Sequence, residues 1–202
     1  MLNDIINVAN QYATGLEQVQ NRKAQWINKH EELKNHLKSV AESLNAGTTY
    51  KQGYFVDSLH AFDEEMNGTC SGMQSLVFRS GDMPMMVAFS NEKGEKKEFT
   101  EHGFQITFTP MVTGEVIVLL MPHFSELNIT PPQITTLAII SNAAELLMDD
   151  IDELLARGME LAYYSSFTGI AAQKEVQENG AQNIPHHNPI GFKRYETTEK
   201  TK

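Results

Sequence analysis

The chain has 202 residues, of which 41% are hydrophobic and 21% charged, a composition typical of a globular protein that can bury its own core. Its formal net charge is −10, and no long segment is basic, which disfavours binding to the phosphate backbone of a nucleic acid. The single cysteine, Cys70, excludes an intramolecular disulfide, and no apolar run is long enough to span a membrane. We therefore expect a soluble, cytoplasmic protein without nucleic-acid or membrane partners.

Residues 1–46 have the heptad pattern of a long, coiled-coil-like helix. Apolar positions recur in alternating steps of three and four residues, and no proline interrupts them. The a positions are Leu2, Ala9, Leu16, Lys23, His30, Leu37 and Leu44, and the d positions are Ile5, Tyr12, Val19, Trp26, Leu33 and Val40. Gly47 stands where helices commonly end. Because one small domain cannot bury so long a helix, the pattern predicts a partner helix.

Residues 47–130 change to a period of two, which predicts an antiparallel sheet of about five strands. The connections are short, whereas a parallel crossover needs a dozen or more residues. The predicted strands are Tyr50–Val56, Gln74–Phe78, Met83–Phe89, Phe104–Thr109 and Val116–Met121. Alternate residues of these strands should form one apolar layer against a helix, and they are Ile106, Phe108, Val118, Leu120, Val87 and Phe89.

Residues 131–165 are predicted to form a second long heptad helix that packs on the first. Thr130-Pro131-Pro132-Gln133 has the residues of a helix start, and apolar residues again recur at steps of three and four. Residues 166–202 have little periodicity and a polar end, which predicts an extended or disordered tail. Within it, Ile184–Tyr195 is a candidate docking segment for a protein partner. The predicted fold class is therefore α+β, in the order helix, sheet, helix and tail.

Two sequence patterns resemble catalytic or metal motifs, and neither meets the geometric requirements. Gly68-Thr69-Cys70-Ser71-Gly72 has the spacing of a nucleophile elbow, but the strand before and the helix after are missing, so a turn is the better interpretation. His30 and His36 lie six residues apart, about 240° round a helix, and cannot converge on one metal ion.

Other titratable residues give weaker indications. Four carboxylates share one side of the second predicted helix, Glu145, Asp149, Asp152 and Glu153. They favour a solvated acidic face, because the glycine and alternating oxygens of a calcium loop are absent. His186-His187 offers too few ligands for a metal site, and His60, His102 and His123 are isolated in the sequence. We predict no metal and no cofactor.

Methionines give the best indication of a ligand site. Met83, Met85 and Met86 lie close together in one predicted strand, not far from Met73. Methionine side chains adapt to irregular ligands, although on strands they more often fill a core.

The heptad pattern is the strongest pattern in the chain, so the leading hypothesis is a non-enzymatic assembly protein that forms a homodimer or higher oligomer through its helices. A homodimer would pair residues 2–45 with residues 133–164 in a four-helix bundle. The predicted interface residues are Leu16, Val19, Trp26, Leu33, Leu37, Leu147, Ile151 and Leu154. Two alternatives remain open. One is a small-molecule sensor with a pocket on the sheet and helices that transmit the signal, and the other is a cysteine-dependent enzyme that uses Cys70.

Overall fold

A computed structural model describes residues 2–59, 73–90, 94, 96–125 and 132–171. It confirms an α+β fold in which a long N-terminal helix precedes an antiparallel sheet and a later helix. The elements are α1 Leu2–Gly47, β1 Tyr54–Leu59, β2 Ser75–Ser80, β3 Met83–Ser90, β4 Lys96–Glu101, β5 Gln105–Pro110, β6 Val116–Met121, β7 Thr135–Ile140, a 3-10 helix at Ala143–Glu145, and α2 Met148–Ser165.

Helix α1 runs without a break for 46 residues, but only its second half packs against the rest of the protein. Trp26, Leu33 and Leu37 are completely buried there, whereas every residue from 2 to 14 is exposed. The packed half begins at the turn between β5 and β6. Gly114 has a φ of +81°, and a Cβ at this position would lie 2.6 Å from the Cβ of Arg22. The turn therefore needs glycine both for its backbone conformation and for its close contact with α1.

The main sheet has five strands in the order β1-β2-β5-β6-β7, and every neighbouring pair is antiparallel. Buried and more exposed residues alternate along β5 and β6. The buried residues lie on the face of the sheet that packs against the helices. Four residues of the predicted apolar layer lie on that face and are at most 2% exposed, namely Ile106, Phe108, Val118 and Leu120. The other two, Val87 and Phe89, belong to β3, which pairs with β4 in a separate two-stranded sheet. The prediction that all six residues form one apolar layer is therefore wrong for Val87 and Phe89, which stand in the other sheet.

The second helix begins later than the sequence predicted. Residues 135–140 form strand β7, which pairs with β6, because four of these six residues are β-branched and favour extended backbone. Asn142 then caps the 3-10 helix by accepting a hydrogen bond of 3.0 Å from the Ala144 amide. Helix α2 has only 18 residues. The prediction of one continuous helix over residues 131–165 is wrong, because residues 135–140 form a strand and α2 begins only at Met148.

Helix α2 lies close to the sheet because a glycine faces it. A Cβ on Gly158 would lie 2.5 Å from Cδ1 of Ile106 and 3.0 Å from Cδ1 of Leu137. Helices α1 and α2 also contact each other directly, since Nε2 of His36 in α1 lies 2.7 Å from Oδ1 of Asp152 in α2.

Strands β3 and β4 form an excursion from the main sheet, which leaves β2 at Ser80 and returns at Phe104. The two ends of this excursion are hydrogen-bonded to each other. The Ser80 amide donates to the Phe104 carbonyl over 3.1 Å, and the Phe104 amide donates to Oγ of Ser80 over 3.1 Å. This clamp places the end of β4 beside β1 and the start of β5.

Candidate functional sites

The first candidate site is the unpacked half of α1. Its a and d positions Leu2, Ile5, Ala9, Tyr12 and Leu16, which we call the exposed seam, follow one side of the helix. The four large side chains of the seam are between 60% and 78% exposed. Large apolar residues recurring in this way on one surface are typical of an interaction site.

The predicted interface residues divide between the two halves of the protein. Four of them are completely buried in the chain's own core, which leaves no surface for a partner, and they are Trp26, Leu33, Leu37 and Ile151. Leu16 is 60% and Leu147 is 64% exposed, while Val19 and Leu154 are half-buried. Of the predicted α1 interface residues, Leu16 and, in part, Val19 therefore remain accessible.

The structure separates the two histidines of the predicted α1 motif, His30 and His36. His30 packs edge-on against Trp26 with ring centroids 5.6 Å apart, while His36 pairs with Asp152 on α2. Within the described ranges, no group of three or more histidine, cysteine or acidic side chains is arranged to hold a metal ion. The carboxylates Glu145, Asp149, Asp152 and Glu153 are all exposed. Cys70, His60, His186-His187 and the segment Ile184–Tyr195 lie outside the described residues.

The second candidate site is a cavity of about 340 Å³, which we call the Glu101 cavity. It lies where the main sheet, the β3–β4 excursion and the C-terminal end of α2 meet. Its lining residues come from these elements and their connections, and they are Tyr50, Tyr54, Met83, Glu101, Phe104, His123, Met159, Tyr163, Ser166 and Thr168. Of the four methionines singled out in the sequence, Met83 lines this cavity, Met73 packs against the core, and Met85 accepts a 3.4 Å contact from Oγ of Ser125.

Glu101 is the most unusual residue of the cavity, because it is an acidic side chain only 2% exposed. It stands at the last position of β4, opposite Met83 of β3. Its Oε1 accepts a hydrogen bond of 2.7 Å from the backbone amide of Phe167, just beyond the end of α2. This bond fixes the orientation of the carboxyl group.

Aromatic rings form much of the cavity wall. The rings of Tyr50 and Tyr54 lie 5.4 Å apart, and those of Phe104 and His123 meet edge-on at 5.5 Å. Burial raises the pKa of Tyr50 and of Tyr54, so both keep their phenolic protons at neutral pH. Burial also lowers the pKa of His123, although the negative charge of Glu101 opposes that shift. His123 is therefore mainly neutral at pH 7.

Sequence reasoning did not bring these residues together. Glu101, Tyr50 and Tyr163 come from distant parts of the chain, and His123 is isolated in the sequence. Met83 is the one lining residue that the group of methionines predicted for a ligand site.

Comparisons with protein-family models, with curated proteins and with solved structures gave no match. In the described part of the chain, no helix combines the length and the apolar character needed to cross a membrane. The exposed seam and the Glu101 cavity are the two features of the described residues that indicate a function.

Proposed function

We propose that this protein is a non-enzymatic assembly protein that forms a homodimer through the exposed seam of α1. The observation that carries the proposal is the exposure of Leu2, Ile5, Tyr12 and Leu16, at 71%, 65%, 78% and 60%. A helical segment of this length without tertiary contacts is only marginally stable in water. Burial of the seam against another helix stabilises both the segment and its apolar side chains.

The distribution of charge favours a second copy as the partner. Residues 1–46 contain five basic and five acidic side chains, so the remainder of the chain carries the whole net charge of −10. Two copies therefore approach each other with the least repulsion through α1. The two acidic residues of the exposed half, Asp4 and Glu17, occupy neither a nor d positions.

The order of side chains along the seam favours an antiparallel pair. An antiparallel arrangement centred between residues 10 and 11 pairs Leu2 with Val19, Ile5 with Leu16, and Ala9 with Tyr12. The small Ala9 then leaves room for the large Tyr12, as a closely packed interface requires. A parallel pair would instead place alanine on alanine and tyrosine on tyrosine. The antiparallel arrangement also keeps the two acidic bodies at opposite ends of the helix pair.

Light scattering on the purified protein tests the dimer. We expect a mass of twice the chain mass of 22.7 kDa at micromolar concentration. The double variant Ile5→Asp with Leu16→Asp should have the monomer mass, because an aspartate in an apolar seam stays hydrated only if the helices separate. The matched control is Asn7→Asp with Gln18→Asp, which adds the same charge at exposed positions outside the seam. A monomeric wild type, or a monomeric control, would contradict the proposal.

A distance measurement tests the direction of the pair. A spin label on Asn3→Cys, in a Cys70→Ser background, should give an axial separation of about 22 Å between copies, since residue 3 lies opposite residue 18 at 1.5 Å per residue. A label on Gln11→Cys, near the centre of the seam, should give a much shorter separation. Short separations at both positions would indicate a parallel pair.

A further inference from the structure

The Glu101 cavity has the dimensions and the partial enclosure of a small-molecule site. Its volume of about 340 Å³ is near the lower end of the range for such sites, and its wall combines apolar side chains with a few convergent polar groups. A larger cavity of about 420 Å³ lies between β7 and α2. Its carboxylates are exposed and Arg157 stands among them, so their charges are hydrated and partly balanced.

In the Glu101 cavity, in contrast, His123 is the only basic side chain among the described lining residues. No lysine or arginine is among the described residues that line it. His123 is mainly neutral at pH 7, because burial lowers its pKa. The Phe167 amide donates one hydrogen bond to Glu101, but an amide does not neutralise a carboxylate. A cationic partner would offset the loss of hydration that burial imposes on a carboxylate.

The aromatic wall also makes the cavity suitable for a cation. The rings of Tyr50, Tyr54 and Phe104 present aromatic surface to the cavity, and aromatic faces attract cations, most strongly when water is excluded.

We propose that the Glu101 cavity binds a small organic cation, in which a primary ammonium group pairs with Glu101 and an apolar body lies among the tyrosines, Phe104 and the methionines. The ammonium group supplies a positive charge, and it adds hydrogen-bond donors to the one that the Phe167 amide already provides. Met83 and Met159 adapt to the shape of the apolar body. No residue of α1 lines the cavity, so this proposal is independent of the proposed dimer.

Calorimetric titration with 2-phenylethylammonium chloride tests the proposal, with 2-phenylethanol as the uncharged analogue. The wild-type protein should bind the amine saturably and bind the alcohol at least about tenfold more weakly, because the alcohol cannot form the ion pair. Glu101→Gln should reduce the affinity for the amine by a similar factor. Its amide oxygen can still accept the hydrogen bond from Phe167, which preserves the local fold. The matched control, Glu98→Gln, changes an exposed residue of the same strand and should bind as the wild type does.

A second pair of variants tests the aromatic wall without altering the buried carboxylate. Tyr163→Ala should weaken binding of the amine by about threefold to tenfold, the loss of one cation–π contact. Tyr164→Ala removes a neighbouring ring that does not line the cavity and should have no effect. The absence of saturable binding to the wild type would overturn the proposal. Equal binding of amine and alcohol, or equal affinities in Glu101→Gln and Glu98→Gln, would overturn it as well.

Discussion

A buried polar atom of His30 affects the stability of the protein at low pH. The His30 Nε2 has no hydrogen-bond partner among the described residues, and the His30 ring packs edge-on against Trp26. Burial, followed by the charge of Lys34, lowers the pKa of His30, while Glu31 opposes the shift. The unfolded chain therefore binds a proton at a higher pH than the folded chain does. The contribution of neutral His30 to stability is present above its unfolded pKa of about 6.5 and is lost as the pH falls below it.

We expect His30→Leu to stabilise the protein. The substitution removes a buried, unsatisfied polar atom and should raise the free energy of unfolding by about 1 kcal/mol at neutral pH. It should also reduce the fall in stability between about pH 7 and about pH 5, which His123 will still cause because burial lowers its pKa too. Urea titrations at several pH values measure both effects. Asn35→Leu, at an exposed position of α1, is the control and should leave the pH dependence unchanged.

At the scale of the element, the approach of α2 to the sheet depends on a single missing side chain. Gly158 lies against Ile106 and Leu137, both of which are buried. Any larger residue must displace these two side chains or move the helix.

We therefore expect opposite effects from two glycine-to-alanine substitutions. Gly158→Ala should destabilise the protein by about 1–3 kcal/mol, since overpacking a buried contact outweighs the better helix propensity of alanine. Gly15→Ala, in the unpacked half of α1 where no atom lies within 4 Å of the added Cβ, should favour the local helix by about 0.5–1 kcal/mol. Thermal unfolding measures the first effect and circular dichroism the second. A stabilising Gly158→Ala would contradict the close approach of α2.

The elements that the sequence predicted best are those with a long, uninterrupted period. Helix α1 was predicted almost to its last residue because thirteen a and d positions maintain one pattern up to Leu44. Strand β7 was missed because Leu137 and Ile140 lie three residues apart, which also fits a helix. The preceding prolines then reinforced the wrong interpretation. The four β-branched residues of residues 135–140 favour a strand, but this preference decides the structure only because β6 offers an edge for pairing.

At the scale of the whole molecule, α1 consists of two halves with different roles. The second half belongs to the core of the domain, and the first half extends away from it. A heptad pattern cannot distinguish them, because buried and exposed apolar residues recur with the same period. The sequence also did not determine which strands form the main sheet, because an alternating pattern predicts a strand but not the strands beside it. Strand β3, for example, pairs with β4 in a separate sheet. The Glu101 cavity depends on this long-range pairing, so no local pattern could reveal it.

The two halves should respond differently to the same chemical change. Leu33→Asp with Leu37→Asp should unfold the domain, because both side chains are completely buried. Ile5→Asp with Leu16→Asp should leave the monomer folded. Fluorescence of the single tryptophan, Trp26, whose Nε1 donates a 3.1 Å hydrogen bond to the Gln74 carbonyl, reports the difference. A red-shifted emission is expected for the first variant only. A native spectrum for Leu33→Asp with Leu37→Asp would show that α1 packs through a different face.

The clamped ends of the β3–β4 excursion have a consequence for how this protein could diversify. Ser80 and Phe104 are already joined by hydrogen bonds, and β2 pairs with β5 directly. The ladder of the main sheet is therefore complete without the intervening segment. Insertions and exchanges are tolerated best where the chain leaves and re-enters a framework at neighbouring points. The excursion supplies Met83 and Glu101 to the cavity, so its replacement would change the lining of the cavity while the five-stranded framework is inherited intact.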